Sequence, residues 1–304
     1  MKRRDFITKS IGAGIAAGAF LSLEEAYGNS IFNPLAPYDL VAVMGGEPDE
    51  MFEKGIAALG GMKNFVKAGQ MVVVKPNMGF DRRPEFAANT NPDLVAKIIE
   101  HCLAAGAKDV FVFDNTLDNW QRAYATSGIE KAAKDAGAKV LTGSNEGNYR
   151  EVNIPKGKSL KNAKVHEKIL ECDVFINVPV LKHHGAAHVS FAMKNLMGIV
   201  WDRRYWHSND LQQCIADMVS CRKPDLNIID GYRVLKRNGP KGVSVSDVSL
   251  EKAQIISTDI VAADAAAAKI FGREPETVAH IKIASDMGFG VMDISKLNIN
   301  RIKV

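Results

Sequence analysis

Met71-Val72-Val73-Val74-Lys75-Pro76-Asn77, then Asn91-Pro92-Asp93-Leu94-Val95-Ala96-Lys97-Ile98-Ile99-Glu100-His101-Cys102-Leu103-Ala104-Ala105-Gly106, then Asp109-Val110-Phe111-Val112-Phe113-Asp114-Asn115 decide the fold. The first and third pieces are apolar runs of strand length. The middle one repeats apolar residues at helical spacing, with Asn91 as N-cap, Pro92 at the first helical position and Gly106 to end it. Strand, helix, strand in this form is the unit of a parallel sheet covered on both faces. Similar apolar runs recur at Leu40 to Met44, Val174 to Val178, Leu226 to Ile229 and Gln254 to Ser257. Further helices are predicted over Ile129 to Ala136, closed by Gly137, and over Ile260 to Phe271, capped by Thr258 or Asp259 and closed by Gly272. The rhythm breaks from Leu141 to Lys168, where Tyr149 to Ile154 alternates like a half-exposed strand. The expected fold is α/β, a mainly parallel sheet flanked by helices with a small antiparallel excursion.

At the N-terminus, Lys2-Arg3-Arg4-Asp5-Phe6-Ile7 precedes an uncharged apolar run from Ile11 to Leu23. Paired arginines before such a run read as a twin-arginine export signal. A bilayer span takes about 20 apolar residues, and Gly12, Gly14 and Gly18 dilute this shorter run. Ala26-Tyr27-Gly28 offers small residues for cleavage, with a mature chain starting near Asn29. Residues 1–28 are therefore set aside as the signal peptide, and 29–304 are read as a single elaborated α/β domain, because no linker-like low complexity or internal repeat divides them. The twin-arginine route carries folded proteins. The expected partner is the twin-arginine translocase, the expected location periplasmic or otherwise extracytoplasmic, and no stable membrane anchor is expected after cleavage.

The 46% hydrophobic and 24% charged composition is that of an ordinary globular protein with a sizeable core. The formal charge of +4 falls to +3 without the signal. Arg82-Arg83 and Arg203-Arg204 are isolated pairs, so no nucleic-acid partner is expected. Cys102, Cys172, Cys214 and Cys221 are scattered without a Cys-x-x-Cys pair, which disfavours iron–sulfur or structural zinc ligation. Glycine-rich phosphate loops and the Gly-x-Ser-x-Gly elbow of serine hydrolases are missing.

Nearly every predicted strand runs into groups that are costly to bury: Lys75-Pro76-Asn77, Asp114-Asn115, Lys182-His183-His184, Asp230-Gly231 and Thr258-Asp259. In an open parallel sheet these fall on one edge, where ligands bind outside the carboxyl ends of the strands. Asp259 reads better as a helix cap, and Asp230-Gly231 also fits a turn. The densest segment is Lys182-His183-His184-Gly185-Ala186-Ala187-His188, followed by Met193-Lys194-Asn195-Leu196-Met197-Gly198. His184 and His188 are four apart, so a helix there would put both on one face to ligate a metal. Gly185 and the lack of a glutamate in a His-Glu-x-x-His pattern speak against a zincin. The competing chemistry is anion binding, with Lys182 and Lys194 holding a carboxylate or phosphate and a histidine moving protons. Histidines hydrogen-bonding in a loop would serve structure alone. Trp201 to His207 is an aromatic, charged stretch that fits a lid or ordinary surface packing.

Val73-Val74-Lys75-Pro76-Asn77, Asn91-Pro92, Asp173 to Lys182 with His184, Lys194-Asn195 with Gly198, Ile228-Ile229-Asp230-Gly231 and Gly239-Pro240 appear in an order and spacing that resemble domain-of-unknown-function family 362. The resemblance covers nearly the whole chain after the signal. It implies little about activity. Many members carry ferredoxin-type cysteine motifs that this chain lacks, so no iron–sulfur cluster is expected. The chain is more distantly similar to the nickel-pincer lactate racemases, in which a lysine holds a pyridinium-derived cofactor and histidines ligate nickel or shuttle protons; Lys182, His184, His188 and Lys194 are the positions to compare.

The functional expectation is an exported protein acting as an enzyme on a small anionic organic substrate at the strand C-terminal edge. Lys182, His184 and Lys194 are the candidate catalytic residues, and Lys75, Asn77, Asp114 and Asp230 the candidate cofactor-binding ones. The cofactor is left open, with a divalent metal on His184 and His188 one candidate. The alternative is a non-catalytic ligand-binding or accessory protein of a periplasmic redox or cofactor system.

Overall fold

The computed structural model describes residues 37–304, and the export signal expected over residues 1–28 lies outside them. The strands are β1 (Leu40–Met44), β2 (Met71–Pro76), β3 (Asp109–Val112), β4 (Lys139–Val140), β5 (Tyr149–Asn153), β6 (Asn162–His166), β7 (Val174–Val178), β8 (Val180–His184), β9 (His188–Ser190), β10 (Leu226–Leu235), β11 (Val248–Ser257) and β12 (Ile299–Lys303). The main sheet runs β12-β1-β11-β10-β7-β2-β3-β4, with β8 paired to β10 and β9 to β8. Within that order only β11 runs against its neighbours. β5 and β6 form a separate antiparallel pair, the excursion expected from the alternation at Tyr149 to Ile154.

Continuous apolar strands are explained by cover on both faces. Val72, Val74, Val110, Val112, Ile176 and Ile228 face one core with helices Pro48–Ala58, Pro92–Ala104 and Ile129–Asp135. Val73, Phe111, Phe175 and Ile229 face the other with helices Leu211–Met218, Ile260–Phe271 and Ala279–Asp286. The helix ends follow their local signals: Asn91 accepts from Asp93 N at 2.9 Å, Asp259 from Val261 N and Ala262 N at 2.8 and 3.0 Å, and Gly272 takes φ +91° past the last turn.

Two expectations are corrected. The strand at Leu226 continues through Asp230-Gly231 to Leu235, because β8 and β11 both go on supplying partners there. Gly231 suits that crowded position, since a Cβ on it would lie 3.0 Å from Ala253 O. The run at Gln254 to Ser257 belongs to a ten-residue strand that pairs antiparallel with both neighbours.

Candidate functional site

Parity along the strands builds the site. Lys75 follows Val73 on one face of β2, Asn177 follows Phe175 on the same face of β7, and Asn227 precedes Ile229 on β10. Register then sets Lys75 beside Asn177, Asn177 beside Asn227 and Asn227 beside Ser257. A polar row thus crosses four strands under the short helix Ala192–Asn195. It is satisfied by a relay of amides: Asn195 Nδ2 donates to Asn177 Oδ1 at 2.9 Å, Asn177 Nδ2 to Asn227 Oδ1 at 3.1 Å, and Asn227 Nδ2 to Ser257 O at 3.3 Å. Asn177 and Asn227 were not predicted; their signal is a single asparagine inside an otherwise apolar strand, which burial tolerates only with hydrogen-bond partners.

Above this row sit the charges. Lys75 Nζ lies 2.9 Å from Asp114 Oδ1 and donates to Asn195 Oδ1 at 2.8 Å. Asp114 Oδ2 accepts from Met78 N at 2.9 Å. Lys182 Nζ donates to Asn77 Oδ1 at 3.2 Å and to Ala88 O, and rests 4.4 Å from the Phe80 ring centroid. Lys194 is 7% exposed, and among the described residues its Nζ meets only the Met197 thioether, at 3.2 Å. Arg203 donates from its two terminal nitrogens to Asn115 O at 2.7 Å and Thr116 O at 2.6 Å. Burial lowers the pKa of all four cations. For Lys75, Lys182 and Arg203 the Asp114 charge opposes that shift. Lys194 has no such counterweight; burial and then the neighbouring Arg203 and Lys75 bring it to about 7.

A small pocket of about 50 Å³ is lined by Lys75, Asn77, Asp114, Lys182, His184 and Lys194 among others. It shares Leu117, His184, Lys194, Met197 and Arg203 with an outer cleft of about 890 Å³. The helix Arg204–Ser208 and strand β6 form part of that cleft's wall, and the aromatic stretch from Trp201 lines it as well. Gly198 is required here, since a Cβ on it would lie 1.9 Å from Asp114 Oδ1 and 2.5 Å from Lys75 Nζ.

Six of the seven residues expected to converge do so; Asp230 does not. Its carboxylate accepts from Asn91 N at 2.7 Å and Tyr232 N at 3.0 Å, holding the start of the Pro92–Ala104 helix to mid-strand β10, and burial raises its pKa to about 6. The helical geometry conditional for a His184–His188 metal pair is also absent. The segment is a hairpin, β8 to β9, in which the two histidines oppose one another, His188 exposed at φ +65° and His184 half-buried on the pocket. Among the described residues no group of three or more His, Cys, Asp or Glu side chains is set to hold a metal ion. His184 Nδ1 accepts from Ala187 N at 3.1 Å, which leaves the hydrogen of the neutral ring on Nε2. Burial first, then Lys194 and Lys182, depress its pKa to about 2, so it faces the pocket as a neutral donor. His183 takes a different partner, accepting from Gly239 N at 3.0 Å. All four cysteines are free thiols.

The sequence model of the family described as "Domain of unknown function (DUF362)" matches residues 72–269. A thylakoid-associated protein of Synechocystis sp. is 28% identical over 238 residues, 76% of this chain and 72% of that protein. Among solved structures, a lactate racemase apoprotein from Thermoanaerobacterium thermosaccharolyticum is similar at 12% identity and a TM-score of 0.44, over 84% of this chain and 58% of its own. A structural-genomics protein from Thermotoga maritima is similar at 11% identity and a TM-score of 0.42, over 79% and 60% respectively. The chain thus spans about three fifths of each of these two structures.

Proposed function

Because this chain belongs to the DUF362 family, whose function is unknown, the reading rests on the site itself, and we propose that the strand-edge pocket binds a small organic anion and acts on it as an enzyme. One observation carries this. Four cations, Lys75, Lys182, Lys194 and Arg203, line a pocket that contains one carboxylate, Asp114. Among the described residues neither Lys182 nor Lys194 has a carboxylate within 4.0 Å. Buried positive charge without a counter-ion is costly, and an anionic ligand relieves it. Lys182 and Arg203 would hold the anion, while the neutral His184 donates from Nε2 to a ligand oxygen. Lys194, near 7, can both give and take a proton at neutral pH, which a purely electrostatic binding site would not need.

Calorimetry at pH 7 against acetate, lactate, pyruvate, succinate and inorganic phosphate tests the reading. At least one organic anion should bind, and Arg203→Ala and Lys182→Met should each weaken it about tenfold or more, roughly 1.4 kcal/mol. If none binds, or if phosphate alone does so unaffected by either substitution, the proposal fails. Export is part of the same reading: a twin-arginine signal with Arg3 and Arg4 would take the folded chain to the periplasm.

A further inference from the structure

The three pocket lysines are not equivalent. Lys75 is held by Asp114 and Asn195, and Lys182 by Asn77 and the Ala88 carbonyl. Among the described residues Lys194 has only a thioether, a weak acceptor, and it is 7% exposed. It is also the one of the three that lines both the inner pocket and the outer cleft. A lysine amine that is buried, lacks an oxygen acceptor and lies beside other cations is activated as a nucleophile.

We propose that Lys194 forms an imine with a small carbonyl acid, such as a 2-oxo acid, whose carboxylate is held by the other cations of the pocket. This rests on the anion-binding reading above and names its substrate class. The Nζ lone pair attacks the carbonyl carbon, and the carbonyl oxygen takes the proton that nitrogen releases, giving a carbinolamine. The hydroxyl then takes a proton from solvent in the outer cleft and leaves as water, while the nitrogen lone pair forms the C=N bond. No oxidation or reduction is involved. The Nε2–H of His184, fixed by the Nδ1 contact to Ala187 N, is placed to hydrogen-bond the carbonyl oxygen as charge builds on it. The pKa of about 7 fits the chemistry, since the amine must be unprotonated to attack.

The test is reductive trapping. Pyruvate or glyoxylate with sodium cyanoborohydride should add one reduced adduct per chain, mapped by peptide mass spectrometry to Lys194. The adduct should vanish in Lys194→Arg and persist in Lys282→Ala, a surface control. Its rate of formation should climb through about pH 7, where an ordinary exposed lysine would respond only near pH 10. Pyruvate binding by calorimetry with no adduct, or adducts spread over surface lysines, overturns the imine and leaves anion binding standing. Neither binding nor adduct overturns both.

Discussion

Lys194 lies against a methionine sulfur where a carboxylate would stabilise it, so reactivity and stability oppose each other at this residue. Its pKa is about 7 in the folded chain against an ordinary 10.5. Between those values the unfolded chain holds a proton that the folded chain has released. Unfolding therefore takes up a proton, and stability rises as pH climbs from about 7 toward 10. Lys194→Met removes that dependence. It should raise stability at pH 7 by on the order of 1–4 kcal/mol, with the advantage shrinking at pH 9.5. Urea unfolding of both proteins at the two pH values decides it, and an advantage that stays constant would contradict the assignment. Gly198 is the opposite kind of residue, one whose missing side chain is the point. Gly198→Ala forces a methyl group into the Lys75–Asp114 pair and should cost about 1–3 kcal/mol or more of stability, read by the same unfolding midpoint.

The elements divide by whether their signals are local. Helix Pro92–Ala104 begins at Asn91 and helix Ile260–Phe271 at Asp259, each ending before a glycine of positive φ, because caps and stops depend on a few adjacent residues. The hairpin β8–β9 was hidden. The four-residue spacing of His184 and His188 fits a helix face and a three-residue turn equally well, and Gly185 was the one local sign of the turn. Strand β10 was cut short for a similar reason, since Asp230-Gly231 looks like a strand exit until β8 and β11 are seen on both sides of it. The row Lys75, Asn177, Asn227 was legible only in part, because a register between distant strands is not written in any one of them. The convergence of Lys75, Asp114 and Lys182 was readable because parallel strands bring their carboxyl ends to one edge, which Lys194 reaches from the helix Ala192–Asn195. Asp230 shows the limit of that rule. Asp230→Ala should cost about 1–3 kcal/mol by orphaning Asn91 N and Tyr232 N, yet leave anion affinity within about twofold of wild type. An affinity loss as large as that of Lys182→Met, measured by calorimetry on the folded variant, would return Asp230 to the site.

At the scale of the molecule, the first described strand cannot be finished until the last is made. β1 pairs with β12 from Leu40 beside Ile299 to Met44 beside Lys303, and its other edge pairs with β11. Val304 N also donates to Met44 O at 2.8 Å. Contacts of such sequence separation form only once residues 299–304 have been made, so this edge of the sheet closes late. On the proposed export, a twin-arginine signal would carry the chain across with these long-range pairings already made. The proposal predicts two distinct failures. Arg3→Lys with Arg4→Lys should leave a trypsin-resistant, folded precursor in the cytoplasm. Deleting residues 299–304, which strips β12 from the edge of β1, should leave a trypsin-sensitive chain that is not exported even though the arginines are intact. Fractionation after pulse labelling, with trypsin resistance measured on each pool, separates the two. Arrival of an unfolded truncated chain in the periplasm would show that export does not wait for the fold, and normal export of the double-lysine variant would show that the paired arginines do not direct it.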